Sequence, residues 1–241
     1  MAEVKPYAGK ESSKKEQVAE MFDNISHRYD FLNHFLSLGI DKIWRKKAIM
    51  MLKPLQPKRM LDIATGTGDF AIAALKINPD EVIGADISNG MLDKGRLKMK
   101  KKGIEKITME YGDSENLKYD DNSFDAITVG FGVRNFEDLE KGLKEMNRVL
   151  RPGGQAAILE FSRPRKFPVK QMFGFYSKVF IPLWGKIISR DKSAYTYLPD
   201  SVAAFPDGKD FEDILSRCGY KPIRSRKVSG GIATIYLAEK Q

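Results

Sequence analysis

Cysteine is nearly absent. Cys218 stands alone in 241 residues, so no disulfide can form within the chain, no cysteine-rich zinc site can be built, and a reducing compartment is the natural setting. Histidine is as scarce, with only His27 and His34. Two imidazoles and one thiol make no convincing metal site, and none is expected. Long apolar runs are missing too, so no segment reaches the length of a membrane span. The opening MAEVKPYAGKESSKKEQ has no apolar signal region and is expected to be a mobile polar tail, which makes a cytoplasmic location the default.

The chain is long enough to bury roughly 70–75% of its unfolded surface, so a core can hold it without staples. Hydrophobic residues make up 42% and charged residues 30%, the balance of an ordinary globular protein. The net charge of +9 favours anionic partners without choosing between nucleic acid and lipid headgroups. The densest basic run, Lys94 to Lys106, lies in and after a predicted helix. A solvated face is the first reading of it, and a phosphate-binding or membrane-facing patch the second.

From Arg59 onward, strand-like runs alternate with helical ones: RMLDIA, FAIAALKI, EVIGADI, GMLDKGRLKMKK, KITMEYG, FDAITVGFG, LEKGLKEMNRVL and GGQAAILEFS. Such alternation marks βαβ units and a parallel sheet, and the turn Pro152-Gly153-Gly154 is expected to start the fifth strand. KPIRSRKVS and GIATIYLAEK, joined by Gly230-Gly231, close the sheet as an antiparallel hairpin. The reading is an α/β, doubly wound, mostly parallel, seven-stranded Rossmann-like sheet ending in that hairpin. Residues 1–17 form the tail, 18–53 an N-terminal helical cap, and 54–241 the core, with an aromatic-rich insertion at 163–206.

Leu61 to Asp69 runs from a strand through a glycine-rich turn into a helix. Gly66 and Gly68 let backbone approach a ligand closely, with Thr67 between them. Asp86, at the end of the second strand, can accept hydrogen bonds from ribose hydroxyls. Gly66-x-Gly68-x-x-Ala71 also fits a dinucleotide fingerprint. Asp62 tilts the reading, because an acid there would repel a pyrophosphate and welcome a sulfonium or amino group.

LDIATGTGD, ADIS and GDSENLKYDDNSFDAI resemble successive motifs of class I S-adenosylmethionine-dependent methyltransferases. The resemblance implies S-adenosylmethionine as methyl donor and places Asp113 and Ser114 near its adenine. Ala64 departs from it, standing where many members carry the first glycine of the loop. FDNISHRYDFLNHFLSLGIDKIWRKK, FGVRNFED, RVLRPGG, LEFSRP and YTYLPDSVAAFP narrow the likeness to quinone-biosynthesis C-methyltransferases, which act on demethylmenaquinol or a prenylated methoxybenzoquinol. This similarity extends from about Val18 to the end, and GDSENL leans to the menaquinone branch.

Methylating a ring carbon requires a nucleophile, so the reduced quinol is the expected substrate. Phenol ionisation puts charge on the ortho carbon, which attacks the methyl in line, a reaction that needs positioning, a base and a water-poor site rather than a metal. Ligand groups gather at the carboxyl ends of the strands. Gly130 ends the fourth strand there on the cofactor side, and just beyond it Arg134 is expected to lower the phenol pKa by its charge and Asn135 to contact the substrate. Tyr29 is a second catalytic candidate and Tyr195 a second substrate contact. His27 and His34 are read first as packing or capping residues. The insertion, through Phe173, Phe175, Phe180 and Trp184, is read either as an isoprenoid slot or membrane contact, or as an ordinary packed lid. A prenylated quinol is the expected partner. Peripheral contact at the inner face of a membrane and pairing of two copies stay open, and no nucleic acid is expected, since GFGVRN is unlike the motif of amino-directed nucleic-acid methyltransferases. An RNA methyltransferase and a nucleotide-binding regulatory module remain the rivals.

Overall fold

The computed structural model describes residues 4–7, 9–27, 29–30, 37–175 and 193–241, with the side chains of 193–196 left aside. Seven strands form one sheet: β1 (Arg59–Ile63), β2 (Glu81–Asp86), β3 (Ile107–Tyr111), β4 (Phe124–Gly130), β5 (Leu150–Phe161), β6 (Tyr220–Val228) and β7 (Ala233–Lys240). Their order is β3-β2-β1-β4-β5-β7-β6. The first five run parallel, and β7 lies antiparallel between β5 and β6. The doubly wound sheet with its closing hairpin is therefore as the sequence predicts. The order reverses between β1 and β4, which opens a crevice at their carboxyl ends.

Both faces of the sheet are covered, which explains the continuous apolar strands. Helices α2 (Ile40–Leu52), α3 (Asp69–Ala74) and α4 (Asn89–Lys102) bury Trp44, Ile49, Phe70, Leu92 and Met99 against one face. On the other, α5 (Leu139–Val149) and α8 (Lys209–Arg217) bury Leu143, Met146, Phe211 and Leu215. Helices α6 (Val169–Phe175) and α7 (Ser193–Ala204) belong to the insertion.

Two boundaries differ from expectation. Pro152 to Gly154 do not precede β5 but interrupt it: Leu150 already pairs with Phe124, and the ladder resumes at Ala126 with Gln155. The glycines thus form a bulge inside the strand. The N-terminal segment is not a loose tail through residue 17. Helix α1 (Lys14–Ile25) begins earlier, because Ser13 and Glu16 form a reciprocal capping box, a signal written as S-x-x-E in the sequence. Gln17 is fully buried and accepts from the Tyr7 amide at 3.0 Å, which ties the preceding residues to the helix.

Candidate functional site

At the crevice lies an open cavity whose walls come from α1, the β1 and β2 ends, residues 112–115 and the turn after β4. Ala64 and Gly66 form its floor. Gly66 (φ 56°) and Gly68 (φ 84°) hold left-handed conformations. The Gly66 amide donates to Asp86 Oδ2 at 2.8 Å, while Asp86 Oδ1 accepts from the Ser88 amide at 2.9 Å. Burial raises the Asp86 pKa against these bonds. Asp113 and Ser114 form the far wall, where Asp113 Oδ2 accepts from Lys15 Nζ at 2.7 Å. Burial opposes the Lys15 charge, yet Asp113 and Glu115 outweigh it and raise its pKa.

Tyr29, Gly66, Asp86, Asp113, Ser114, Gly130 and Asn135 all line this cavity. Four other expected residues do not. Asp62 is fully buried beneath the loop, accepting from Thr65 Oγ1 (2.5 Å), Thr128 Oγ1 (2.6 Å) and the Ala71 amide (3.1 Å). Burial pushes its pKa up to about 6 despite those bonds. Its carboxylate braces the turn instead of facing a cation. Thr67 turns away to donate to Asp30 and accept from Lys98 at 2.8 Å. Gly68 is small for packing: a Cβ there would lie 2.5 Å from Met99 Cε.

Arg134 is the fourth. Its guanidinium lies below the rim, donating to the Phe131 carbonyl and, at 2.8 Å, to Glu160 Oε1. Glu160 is fully buried and Arg134's side chain nearly so, and burial raises the Glu160 pKa although Arg134 opposes it. A guanidinium neutralised in this way holds the turn Val133–Asn135 rather than meeting a ligand directly. Tyr195 lies outside the described side chains, and so does His34; His27 is exposed.

Tyr197, two residues on, touches the site through Asn135. It is buried and donates to Asn135 Oδ1 at 3.1 Å, and burial lifts its pKa to about 12. Burial likewise lifts Tyr29 to about 12 against the charges of Arg45 and Arg134. Both phenols are therefore protonated donors near neutral pH, not bases. Phe131, held at φ 59°, completes the wall and stacks on Phe161 with centroids 4.5 Å apart.

Among the described residues the lining carries four carboxylates, Asp86, Asp113, Glu115 and Glu137, against one ammonium, Lys15. Such a lining attracts a cationic ligand, and glycine backbone beside Asp86 suits an adenosine. Among the described residues no group of three or more His, Cys, Asp or Glu side chains is placed to hold a metal. An acidic, glycine-floored cavity at the switch point of this sheet is the arrangement expected of a class I S-adenosylmethionine-dependent methyltransferase.

The chain belongs to the ubiE/COQ5 methyltransferase family, whose model matches residues 10–240. It is 53% identical to the demethylmenaquinone methyltransferase of Bacteroides fragilis over 239 residues, 98% of this chain and 97% of that one. It is 42% identical to the ubiquinone/menaquinone biosynthesis C-methyltransferase UbiE of Geotalea uraniireducens over 232 residues, 95% of this chain and 98% of that one. Among solved structures, an S-adenosylmethionine-dependent methyltransferase from Thermotoga maritima superposes with a TM-score of 0.66 at 18% identity, covering 92% of this chain and 99% of that one. The [4+2]-cyclase SpnF gives 0.68 at 16% identity, covering 94% and 96%. At such identities the likeness concerns the fold alone.

Proposed function

We propose that this methyltransferase transfers a methyl group to a ring carbon of a prenylated quinol, and that the quinol is demethylmenaquinol. The observation that carries the proposal is the near-full-length identity with the Bacteroides fragilis enzyme, to which the cavity adds a suitable chemistry. The alternative substrate is a prenylated methoxybenzoquinol, which the broader name of the Geotalea relative keeps open.

S-adenosylmethionine, when bound, supplies an electrophilic methyl on a sulfonium. Asp86 would accept from the ribose hydroxyls, with Gly66 backbone alongside. Asp113 and Ser114 would meet the adenine, and Gly130, kept bare by Phe70 beneath it, would present its backbone beside the cofactor. On the opposite wall, Phe131 offers an aromatic face, and Tyr29 and Asn135 offer polar groups to the quinol oxygens. Tyr29, being protonated, stabilises a phenolate by donating a hydrogen bond rather than by taking a proton. Tyr197 fixes the Asn135 carbonyl, which leaves the Asn135 amide as donor. Arg134 acts as a positioning residue through Glu160 and the Phe131 carbonyl.

Incubation with S-adenosylmethionine and chemically reduced demethylmenaquinone should yield menaquinol, read as a mass increase of one methylene. The oxidised quinone, kept from reduction, should remain unmethylated. Methylation of the methoxybenzoquinol alone would move the enzyme to the alternative branch, and equal methylation of oxidised quinone would overturn the carbanion-like chemistry.

A further inference from the structure

Large apolar side chains left on a surface normally scatter singly. Here they gather. Of the eight described ones, Leu38, Ile43 and Met50 lie on or beside α2, and Phe167, Met172 and Phe175 on or beside α6. Leu38 is 76%, Ile43 54% and Phe167 80% exposed, values too high for the rim of a core.

The same face of α2 is basic. Lys42, Lys46 and Lys47 are exposed, and none of them is paired with a carboxylate among the described residues. The one acid of the helix, Asp41, is buried and bound to Arg45 and to Ser37. Lys166 and Lys170 give α6 the same character.

The two segments border one turn. Trp44 of α2 donates to Ser229 Oγ at 3.0 Å, and a Cβ on Gly230 would lie 2.7 Å from Val169 of α6. That turn adjoins the carboxyl end of β5, where Ser162 bonds to Ile232 and Phe161 stacks on the cavity residue Phe131. An apolar, basic surface is thus continuous with an aromatic track, Trp44, Phe131 and Phe161, that leads into the site.

We propose that the outer face of α2, continued by residues 166–175, docks the protein on an anionic lipid bilayer. Leu38, Ile43, Met50 and Phe167 enter the acyl boundary while the lysines reach headgroup phosphates, an arrangement that long cationic side chains permit. Aliphatic side chains have nothing to gain from a nucleic-acid backbone, which argues for lipid over RNA. A second copy seated face to face would oppose lysine to lysine, which argues against a two-fold dimer through this surface. The surface deepens the quinol reading, since a prenylated substrate resides in such a bilayer, but its physical basis is independent of it.

The test is flotation of the full chain with phosphatidylcholine vesicles, alone and with about one third phosphatidylglycerol. The wild type should float with the anionic vesicles, less at high salt. The triple variant Lys42→Glu, Lys46→Glu, Lys47→Glu should bind them at least about a hundredfold more weakly, and Ile43→Ser roughly tenfold more weakly. Lys100→Glu, Lys101→Glu, Lys102→Glu, on the opposite edge of the same layer, should change binding by a few-fold at most. Thermal melts establish that each variant is folded. Absence of wild-type flotation at low salt, equal losses from the α2 and α4 variants, tighter binding to RNA homopolymer with the same sensitivity, or a dimer broken by the α2 variant would each overturn the docking surface. Methylation of a tail-less quinol in solution should be unchanged in the α2 variants. Loss of that activity in the wild type with flotation intact would instead defeat the quinol reading alone.

Discussion

On the β1–β3 side of the cavity, the inward groups come from short contiguous stretches. Gly66 meets Asp86 through backbone and carboxylate, and Asp113 and Ser114 follow β3 directly. On the β4–β5 side, the groups come from far apart: Asn135 takes its hydrogen bond from Tyr197, 62 residues on, and Arg134 its ion pair from Glu160, 26 residues on. The first side depends on backbone geometry, the second on pairs of buried polar side chains. Such pairs fix orientation at the cost of being intolerant to loss of one partner.

The sharpest break of that contrast is Arg134→Ala. It strands a fully buried carboxylate, so chemical denaturation should report a loss of about 3–5 kcal/mol. Adding Glu160→Gln should restore much of it. A loss below about 1 kcal/mol in the single variant would mean that the pair holds little.

A pH titration of stability probes the other side. The Asp62 carboxyl titrates near 3.8 when unfolded and about 6 when folded, so between these values the native state holds the extra proton and stability falls as pH rises. In Asp62→Asn that term vanishes, while the other buried carboxylates remain in both proteins. The difference in unfolding free energy, wild type minus variant, should drop by up to about 3 kcal/mol from pH 4 to above 6. A flat difference would remove the charge-burial cost.

For the cofactor side, Asp86→Ala should weaken S-adenosylmethionine binding by roughly ten- to several-hundredfold, the loss of about 1.5–3 kcal/mol for charged hydrogen bonds. Calorimetry showing unchanged affinity in the folded variant would remove Asp86 from the ribose site. The smallest effect belongs to Tyr197→Phe, which deletes one neutral hydrogen bond worth about 0.5–1.5 kcal/mol. Turnover should fall several-fold with cofactor affinity intact. Equal loss in both would make Tyr197 a general packing residue.

The contrast also explains what could be read from the chain alone. The mostly parallel sheet and its closing hairpin are legible, because periodicity and turn spelling fix them locally, and the structure brings Gly66, Asp86 and Asp113 to one cavity. Asp62 misleads, since its position after the strand is visible but its three hydrogen-bond donors are not. Arg134 misleads similarly, because nothing near it in sequence announces Glu160. Tyr197 of the motif YTYLPD is missed, because only tertiary packing brings its hydroxyl to Asn135.

The alanine in the floor loop has a counterpart across the crevice. Ala64 sits at φ 52°, a conformation that costs an L-residue about 1–2 kcal/mol, and a Cβ on Gly132 would lie 2.5 Å from its methyl. Gly132 itself has φ −108°, open to any residue, so its neighbours keep the position bare, Ala64 first and Val129 Cγ1, 3.1 Å from such a Cβ, second. The two loops together have room for one methyl group. Alanine at both positions is closed to the fold, so a side chain at 132 would need glycine at 64 and a shift of Val129 as well.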